Sequence, residues 1–480
     1  MVTVQNHIDG RQVPARSGAT LDNTDPATGA TAGTLPDSDA ADVATAVQAA
    51  ERAFPGWAAT PATERSRALH RLAEALRARG ADLAHAESVD TGKPLSLATA
   101  MDIPRAVANF DFFADAASQF ASEAHPMEGR ALNYTLRQPL GVVGCISPWN
   151  LPLYLLSWKV APALAAGNCV VAKPSEVTPV TADWLGRLSA EAGLPPGVLN
   201  LVHGLGPKVG AALTAHPGVK AISFTGSTRT GAEIARTAGP AFKKLSLEMG
   251  GKNPTVVFAD CDFEAAVATT LRSAFTNQGQ ICLCGSRILV EESLYGRFRD
   301  ALVERVRALR VGDPLEAETQ QGALVSRGHL DKVLGCLEVA RREGGQVLCG
   351  GKRALVKGRC QEGFFVEPTL LEGLGPGTRT NQEEIFGPVA TLQPFASEEE
   401  ALRLANATAY GLAASVWTAN LKRAHTVAAR LQSGIVWVNC WMLRDLRTPF
   451  GGMKDSGVGR EGGVEALRFF TEAQNVCVQL

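Results

Sequence analysis

The 480-residue sequence has almost no net charge: 47 lysines and arginines against 48 aspartates and glutamates leave −1 at pH 7. So balanced a chain projects no broad field toward nucleic acid or anionic lipid, and neither is expected as a partner. Met1-Val-Thr-Val-Gln-Asn-His-Ile-Asp-Gly10 contains neither a basic leader nor an apolar run, so no secretory signal is expected there. The ten cysteines lack framework spacing, which argues against a disulfide scaffold and for free thiols in a reducing, cytoplasmic compartment. Internal repeats and low-complexity tracts are also missing. Charge is absent from Gln138 to Trp158, a stretch long enough to span a bilayer, but Pro139, Pro148 and Pro152 with Gly141, Gly144 and Asn150 would break such a helix repeatedly. A buried strand, a loop and a helix are expected there instead.

What is present is ordinary for a globular protein, with 45% hydrophobic and 20% charged residues. The length suggests about three domains. Residues 40–87 carry apolar positions at intervals of three and four and read as amphipathic helices. From residue 140, short apolar runs alternate with helical segments: Gly141-Val-Val-Gly-Cys-Ile, Tyr154 to Ala166, Cys169-Val-Val-Ala, Val198-Leu-Asn-Leu-Val, Ala221-Ile-Ser-Phe, Thr230 to Ala238 and Lys244-Leu-Ser-Leu. Strands buried on both faces and separated by helices predict βαβ units on a parallel sheet. A second such round runs from Thr255-Val-Val-Phe through Phe298 to Leu309 toward Ile435-Val-Trp-Val-Asn, predicting a second α/β domain. Gly363 to Thr380 reads as a connecting loop.

Two segments carry a reaction. Phe275-Thr-Asn-Gln-Gly-Gln-Ile-Cys282 offers a cysteine in a glycine-flanked, uncharged loop, and Leu245-Ser-Leu-Glu248-Met-Gly-Gly-Lys252 offers a glutamate before a Gly-Gly turn. A thiol nucleophile with a carboxylate base can form a thioester and then hydrolyse it. Cys282 is expected to need a lowered pKa for this, whereas Cys284 reads as packing. Asn150, in Ser147-Pro-Trp-Asn-Leu-Pro, is a candidate oxyanion donor or a plain turn residue. Phe224-Thr-Gly-Ser-Thr-Arg-Thr-Gly231, with Gly226 and Ser227, reads equally as a phosphate cradle or as a helix cap. Gly204-Leu-Gly206-Pro-Lys-Val-Gly210 misses the dinucleotide spacing and reads as a turn. Lys173 and Glu176 in Lys-Pro-Ser-Glu lie at a strand end where ribose hydroxyls could be held, and read as well as a solvated pair.

In order along nearly the whole chain, Pro148-Trp-Asn150, Lys173-Pro-Ser-Glu176, Phe224-Thr-Gly-Ser-Thr, Leu247-Glu-Met-Gly-Gly-Lys252, the Cys282 segment, Glu383-Glu-Ile-Phe-Gly-Pro388 and Pro449-Phe-Gly-Gly-Met-Lys454 resemble the NAD(P)-dependent aldehyde dehydrogenase superfamily. The resemblance implies an α/β fold of two parallel-sheet domains: an NAD-binding domain of residues 1–117 and 140–248, and a catalytic domain of 249–455. A small β element of 118–139 and 466–480 would assemble a homodimer or homotetramer. It implies Cys282 as nucleophile, Asn150 with the Cys282 amide as oxyanion donors, and Glu248 as the base that releases a free acid. Lys159 and Glu461 would relay its proton. Lys173 and Glu176 would hold the adenosine ribose of NAD, Trp149, Gly226 and Ser227 the phosphates, and Glu384 with Phe386 the nicotinamide end. No metal is implied.

Substrate class is read near Asn439-Cys-Trp-Met-Leu-Arg444-Asp-Leu-Arg447-Thr-Pro-Phe450. With Asp102-Ile-Pro-Arg105, this segment is similar to the 2-aminomuconic and 2-hydroxymuconic semialdehyde dehydrogenases, whose substrate bears a carboxylate at its far end. Arg105 and Arg444 are the expected carboxylate grip, with Phe450 packing on the conjugated chain. The alternatives are that the arginines pair with Asp102 and Asp445, that the substrate is an aliphatic, aromatic or betaine aldehyde, or that the chain is a non-enzymatic protein of the same fold. Whether Arg447 is structural, whether the substituent is amino or hydroxyl, and whether NADP is also accepted stay open.

Overall fold

The alternation of β-branched runs with amphipathic helices folds, in the computed structural model of residues 1–480, into two large sheets. The first runs Gly457–Val458, Lys244–Glu248, Val219–Thr225, Val142–Ile146, Cys169–Lys173, Leu199–Leu201, Asn6–Ile8, Arg11–Val13. Its middle five strands are parallel. The second runs Gln346–Cys349, Thr369–Glu372, Val389–Phe395, Arg287–Glu291, Pro254–Val257, Ala413–Trp417, Ile435–Val438, and only its first pair is antiparallel. A third sheet of three antiparallel strands joins Thr471–Gln479 to Ala131–Pro139 over nine residue pairs and then to Ala124–Met127.

Gln138 to Trp158 resolves as predicted into the strand Val142–Ile146, a loop, and the helix Pro152–Ala165. Every residue of that helix is buried, so it needs no polar face. No helix of the protein is long and apolar enough to cross a membrane. The largest apolar cluster lies around the first sheet and this helix and reaches Ile281, Leu283, Trp437 and Phe450. One core therefore braces residues from both halves around Cys282.

One expectation needs correction, and two further stretches form strands that the sequence did not reveal. The segment Gly363 to Thr380 is not all loop, since Thr369–Glu372 is a strand of the second sheet; four residues between Pro368 and Gly373 are too few to show a period. Asn6–Ile8 and Arg11–Val13 form a hairpin through Asp9-Gly10, at φ 54° and 75°, which brings the amino-terminal segment into the first sheet. Residues 456–465, assigned to neither predicted domain, return to the first sheet, where Gly457–Val458 pairs with Lys244–Glu248.

Candidate active site

Register brings the candidate residues together. Ile146 pairs with Lys173 and with Phe224, and Thr225 pairs with Glu248, so four parallel strands end at one edge. The loops leaving that edge carry Trp149 and Asn150, Lys173 and Glu176, Gly226 and Ser227, and the turn after Glu248. Carboxyl ends of parallel strands are where such sheets leave room for ligands. The chain then crosses to Pro254–Val257, and the loops before Arg287–Glu291 and Val389–Phe395 bring Cys282, Glu384 and Phe386 to face the same edge. A cavity of about 230 Å³ between the two sheets is lined by Trp149, Asn150, Gly226, Ser227, Cys282, Glu384 and Phe386, together with Met249, Gly250, His329 and Lys332.

The Cys282 loop is held under backbone strain. Asn277, Gln278 and Gly279 are consecutive left-handed residues at φ 53°, 55° and 68°, a conformation that costs on the order of 1–3 kcal/mol at each non-glycine position. At Gly279 a Cβ would come within 2.1 Å of the Gly387 carbonyl, so only glycine allows the loop to pack against the Glu384 loop. Four buried side chains pin it, directly or through Asn150. Asn253 donates to the carbonyls of Cys282 (2.7 Å) and Cys284 (2.9 Å). Asn150 Nδ2 donates to the Gln280 carbonyl at 2.8 Å, leaving its second amide hydrogen free, and Asn277 donates to the Asn150 carbonyl at 3.1 Å. Lys93, wholly buried and ion-paired with Asp102, donates to that same Asn150 carbonyl at 3.0 Å. The Cys282 N–H donates to no protein acceptor.

The electrostatics reverse one expectation. Burial, then the Glu384 and Glu248 carboxylates, push the Cys282 thiol far up rather than down, because the loop brings amides and carboxylates but little positive charge. Burial, then Glu461, also raises Glu248 well above the carboxylate range. Both Glu248 oxygens lack a hydrogen-bond partner in the protein, and a Cβ on Gly451 would approach one of them to 2.7 Å. A buried carboxyl with two open acceptors and a raised pKa is suited to taking a proton near neutral pH. Beside it, Lys159 binds Glu461 at 2.7 Å and Ser223 at 3.2 Å, and Ser223 donates to Glu461 at 2.9 Å.

On the other side of the cavity, Glu384 accepts from the Gly251 N–H at 2.8 Å, and Gly250 has no room for a Cβ against its carboxylate. Trp149 stands edge-on to His329 and Phe386 at 5.0 and 5.2 Å. Ser227 both lines the cavity and caps the helix Thr228–Ala238, accepting from Thr230 N–H. The cap is present, and it stands at the cavity wall. Lys173 is ion-paired with Glu176 outside this cavity; burial opposes, but the ammonium holds Glu176 below its usual value. Gly204 to Gly210 reads as a turn in the sequence, but Gly206–Gly210 is a π-helical turn that runs straight into the helix Ala211–Ala215.

The arginines divide sharply. Arg447 is bidentate on Asp445, with Nε at 3.0 Å from each oxygen. Asp102 belongs to Lys93. Arg444 and Arg105 therefore have no carboxylate partner. Arg444 stacks over Phe450 (4.1 Å) and Trp158 (5.3 Å) and donates to the Tyr154 hydroxyl at 3.0 Å, while Arg105 lies 5.6 Å from the centre of the Tyr154 ring. Both arginines line a second, open pocket with Phe112, Leu443 and Leu446. Burial, together with the Arg444 charge, holds Arg105 below its usual pKa.

Sequence reasoning missed Lys93, Asn253, Tyr154, His329 and Lys332. Only Asn253 left a signal, as a polar residue directly after the Gly-Gly-Lys turn and before a strand. Compared with known proteins, residues 13–476 match the model of the aldehyde dehydrogenase family. The 2-aminomuconic semialdehyde dehydrogenase of Bos taurus is 49% identical over 482 residues, covering 100% of this chain and 99% of that one. The 2-hydroxymuconic semialdehyde dehydrogenase of Pseudomonas sp. strain CF600 is 47% identical, covering 100% of both. An aldehyde dehydrogenase of Bacillus cereus, solved as an NAD+ complex, has 39% identity and a TM-score of 0.97, covering 100% of this chain and 97% of that chain.

Proposed function

The chain belongs to the aldehyde dehydrogenase family, and on that premise we propose that it uses NAD to oxidise a carboxylate-bearing semialdehyde, 2-aminomuconic or 2-hydroxymuconic, to the dicarboxylic acid. The observation that carries the substrate class is the pair Arg105 and Arg444, two guanidiniums in one pocket that pair with no carboxylate, since the pocket's Asp445 is taken by Arg447. Half-buried like charges without a counter-ion are unfavourable, and a substrate carboxylate supplies the missing partner. Relatives of near-half identity that carry muconic semialdehyde names support the same substrate.

The lining of the Cys282 cavity suits a dinucleotide's reactive end. Glu384, fixed by Gly251, faces a wall formed by Trp149, Phe386 and His329, and the Ser227-capped helix start stands beside them. Glu384 and Phe386 would meet the nicotinamide ribose and ring, Trp149, Gly226 and Ser227 the phosphates, and Lys173 with Glu176 the adenosine ribose. Bound there, NAD accepts the hydride that leaves the substrate carbon.

The protein's own residues do the rest. Cys282 Sγ adds to the aldehyde carbon, forming a thiohemiacetal, and the thiol proton passes to Glu248 and on toward Glu461 and Lys159, which leaves Glu248 ionised for the hydrolytic step. The thiohemiacetal oxyanion is received by the free Asn150 amide hydrogen and the uncommitted Cys282 N–H. Loss of hydride leaves a thioester on Cys282, and Glu248 deprotonates the water that cleaves it. The proton then passes from Glu248 toward Glu461 and Lys159. Arg105 and Arg444 hold the far carboxylate, and Phe450 packs along the conjugated chain. We place the enzyme in the cytoplasm as a homodimer or homotetramer, supported by its ten free cysteines and by the exposed strand Thr471–Gln479 at the rim of the third sheet. The test is NADH formation with 2-hydroxymuconic semialdehyde: turnover that disappears in Cys282→Ala is expected, and no turnover by the intact enzyme would overturn the proposal.

A further inference from the structure

We propose that Tyr154 is a specificity-determining residue of this enzyme, its hydroxyl orienting Arg444 and also donating a hydrogen bond to the distal carboxylate of the substrate. The inference rests on the anionic-substrate reading and names a third donor for it.

Tyr154 is 2% exposed on the helix Pro152–Ala165, one turn after Asn150. Its backbone is fixed: its carbonyl accepts from Asn109 Nδ2 at 3.1 Å and from Ser157 Oγ at 2.8 Å. Asn109 belongs to the helix Ile103–Gln119, which also bears Arg105. The two helices that supply Tyr154 and Arg105 are thereby locked in register. The hydroxyl oxygen accepts from Arg444 Nη1 at 3.0 Å, yet the hydroxyl proton reaches no acceptor in the protein. A phenol this deeply buried ordinarily places its proton on a partner. Arg105 and Arg444, the two cations packed on Tyr154, line the entrance pocket, and the carboxylate there, Asp445, is held by Arg447.

The donor count explains the vacancy. An ionised carboxylate accepts at about four lone-pair positions and is best satisfied by several convergent donors. Arg444 and Arg105 provide two guanidinium edges, and the Tyr154 proton is a third donor between them. A purely structural tyrosine would need only its oxygen, as an anchor for Arg444. Its open proton is what distinguishes a residue that meets the substrate.

The experiment is steady-state kinetics of Tyr154→Phe, alone and combined with Arg444→Ala, using 2-hydroxymuconic semialdehyde and a neutral aldehyde of matched length. Phenylalanine keeps the ring beneath Arg105 and removes only the hydroxyl, and a melting curve confirms folding. The expected result is a KM for the anionic substrate raised about tenfold, kcat within about twofold, and no change for the neutral aldehyde. Tyr154→Phe must also weaken anionic binding in the Arg444→Ala background, by about threefold or more, because a direct contact survives loss of the arginine. An unchanged KM in Tyr154→Phe, an equal loss for the neutral aldehyde, or no effect in the Arg444→Ala background would overturn the proposal. If Arg444→Ala alone leaves anionic KM unchanged, the carboxylate reading itself fails, which is a separate outcome.

Discussion

The two ends of the pocket are built on opposite rules. Around Cys282, nearly every polar group that could move the loop is tied: Asn253, Asn150, Asn277 and Lys93 hold carbonyls in and beside the strained loop, and the groups left open, the Cys282 N–H, one Asn150 hydrogen and the Glu248 carboxyl, are those the proposed reaction would use. At the entrance, charges that could have neutralised one another do not. Asp445 takes Arg447, Asp102 takes Lys93, and Arg105 and Arg444 are left in one pocket without a counter-ion. Saturation fixes geometry where a bond is made, and deliberate lack of a partner creates selectivity where a substrate is chosen.

The comparison breaks most completely at the reacting end. Cys282→Ala should abolish NADH formation, and Asn150→Ala should lower kcat about 100- to 1,000-fold for every aldehyde, as expected for loss of an oxyanion donor. Stopped-flow burst amplitudes would show that the acylation step is the one affected. Lys93→Met tests whether the anchor matters: it leaves Asp102 and Glu87 without their cation, which should cost about 3–5 kcal/mol of stability, and should depress kcat equally for anionic and neutral aldehydes. Loss confined to the anionic substrate would contradict the positioning role.

At the entrance the effects are smaller and selective. Arg444→Ala should cut kcat/KM for the muconic semialdehyde about tenfold to a hundredfold, the size of a lost charged hydrogen bond. A neutral aldehyde should be unaffected. Between the two ends, Glu461→Gln removes a negative neighbour that raises Glu248. A base acts when ionised, so the ascending limb of the kcat–pH profile should move to lower pH; a shift to higher pH would contradict the assignment. Arg447→Ala, whose guanidinium is held by Asp445 and largely exposed, should change kcat/KM by less than about twofold.

How much of this was legible in the sequence follows the same divide. Cys282, Glu248 and Asn150 could be found because each sits in a glycine- or proline-marked loop beside an apolar run, and strand register then brings their loops to one edge. The supporting side chains could not. Lys93 meets the Asn150 carbonyl across 57 residues, and Tyr154 meets Arg444 across 290; no local period encodes such pairs. Arg444 and Arg447 looked alike in the sequence, and only the turn that folds Arg447 back on Asp445 separates them. The Cys282 pKa was expected to fall, but burial outweighs the single nearby cation. The strand Thr369–Glu372 was hidden because its stability comes from its neighbours rather than from its own four residues.

The most direct test of the account is the ratio of kcat/KM for 2-hydroxymuconic semialdehyde to that for a neutral aldehyde of matched length and unsaturation. Free entrance arginines predict a preference of about a hundredfold or more, equivalent to about 2.7 kcal/mol; near parity would contradict it, and would mean that Arg105 and Arg444 do not read a carboxylate.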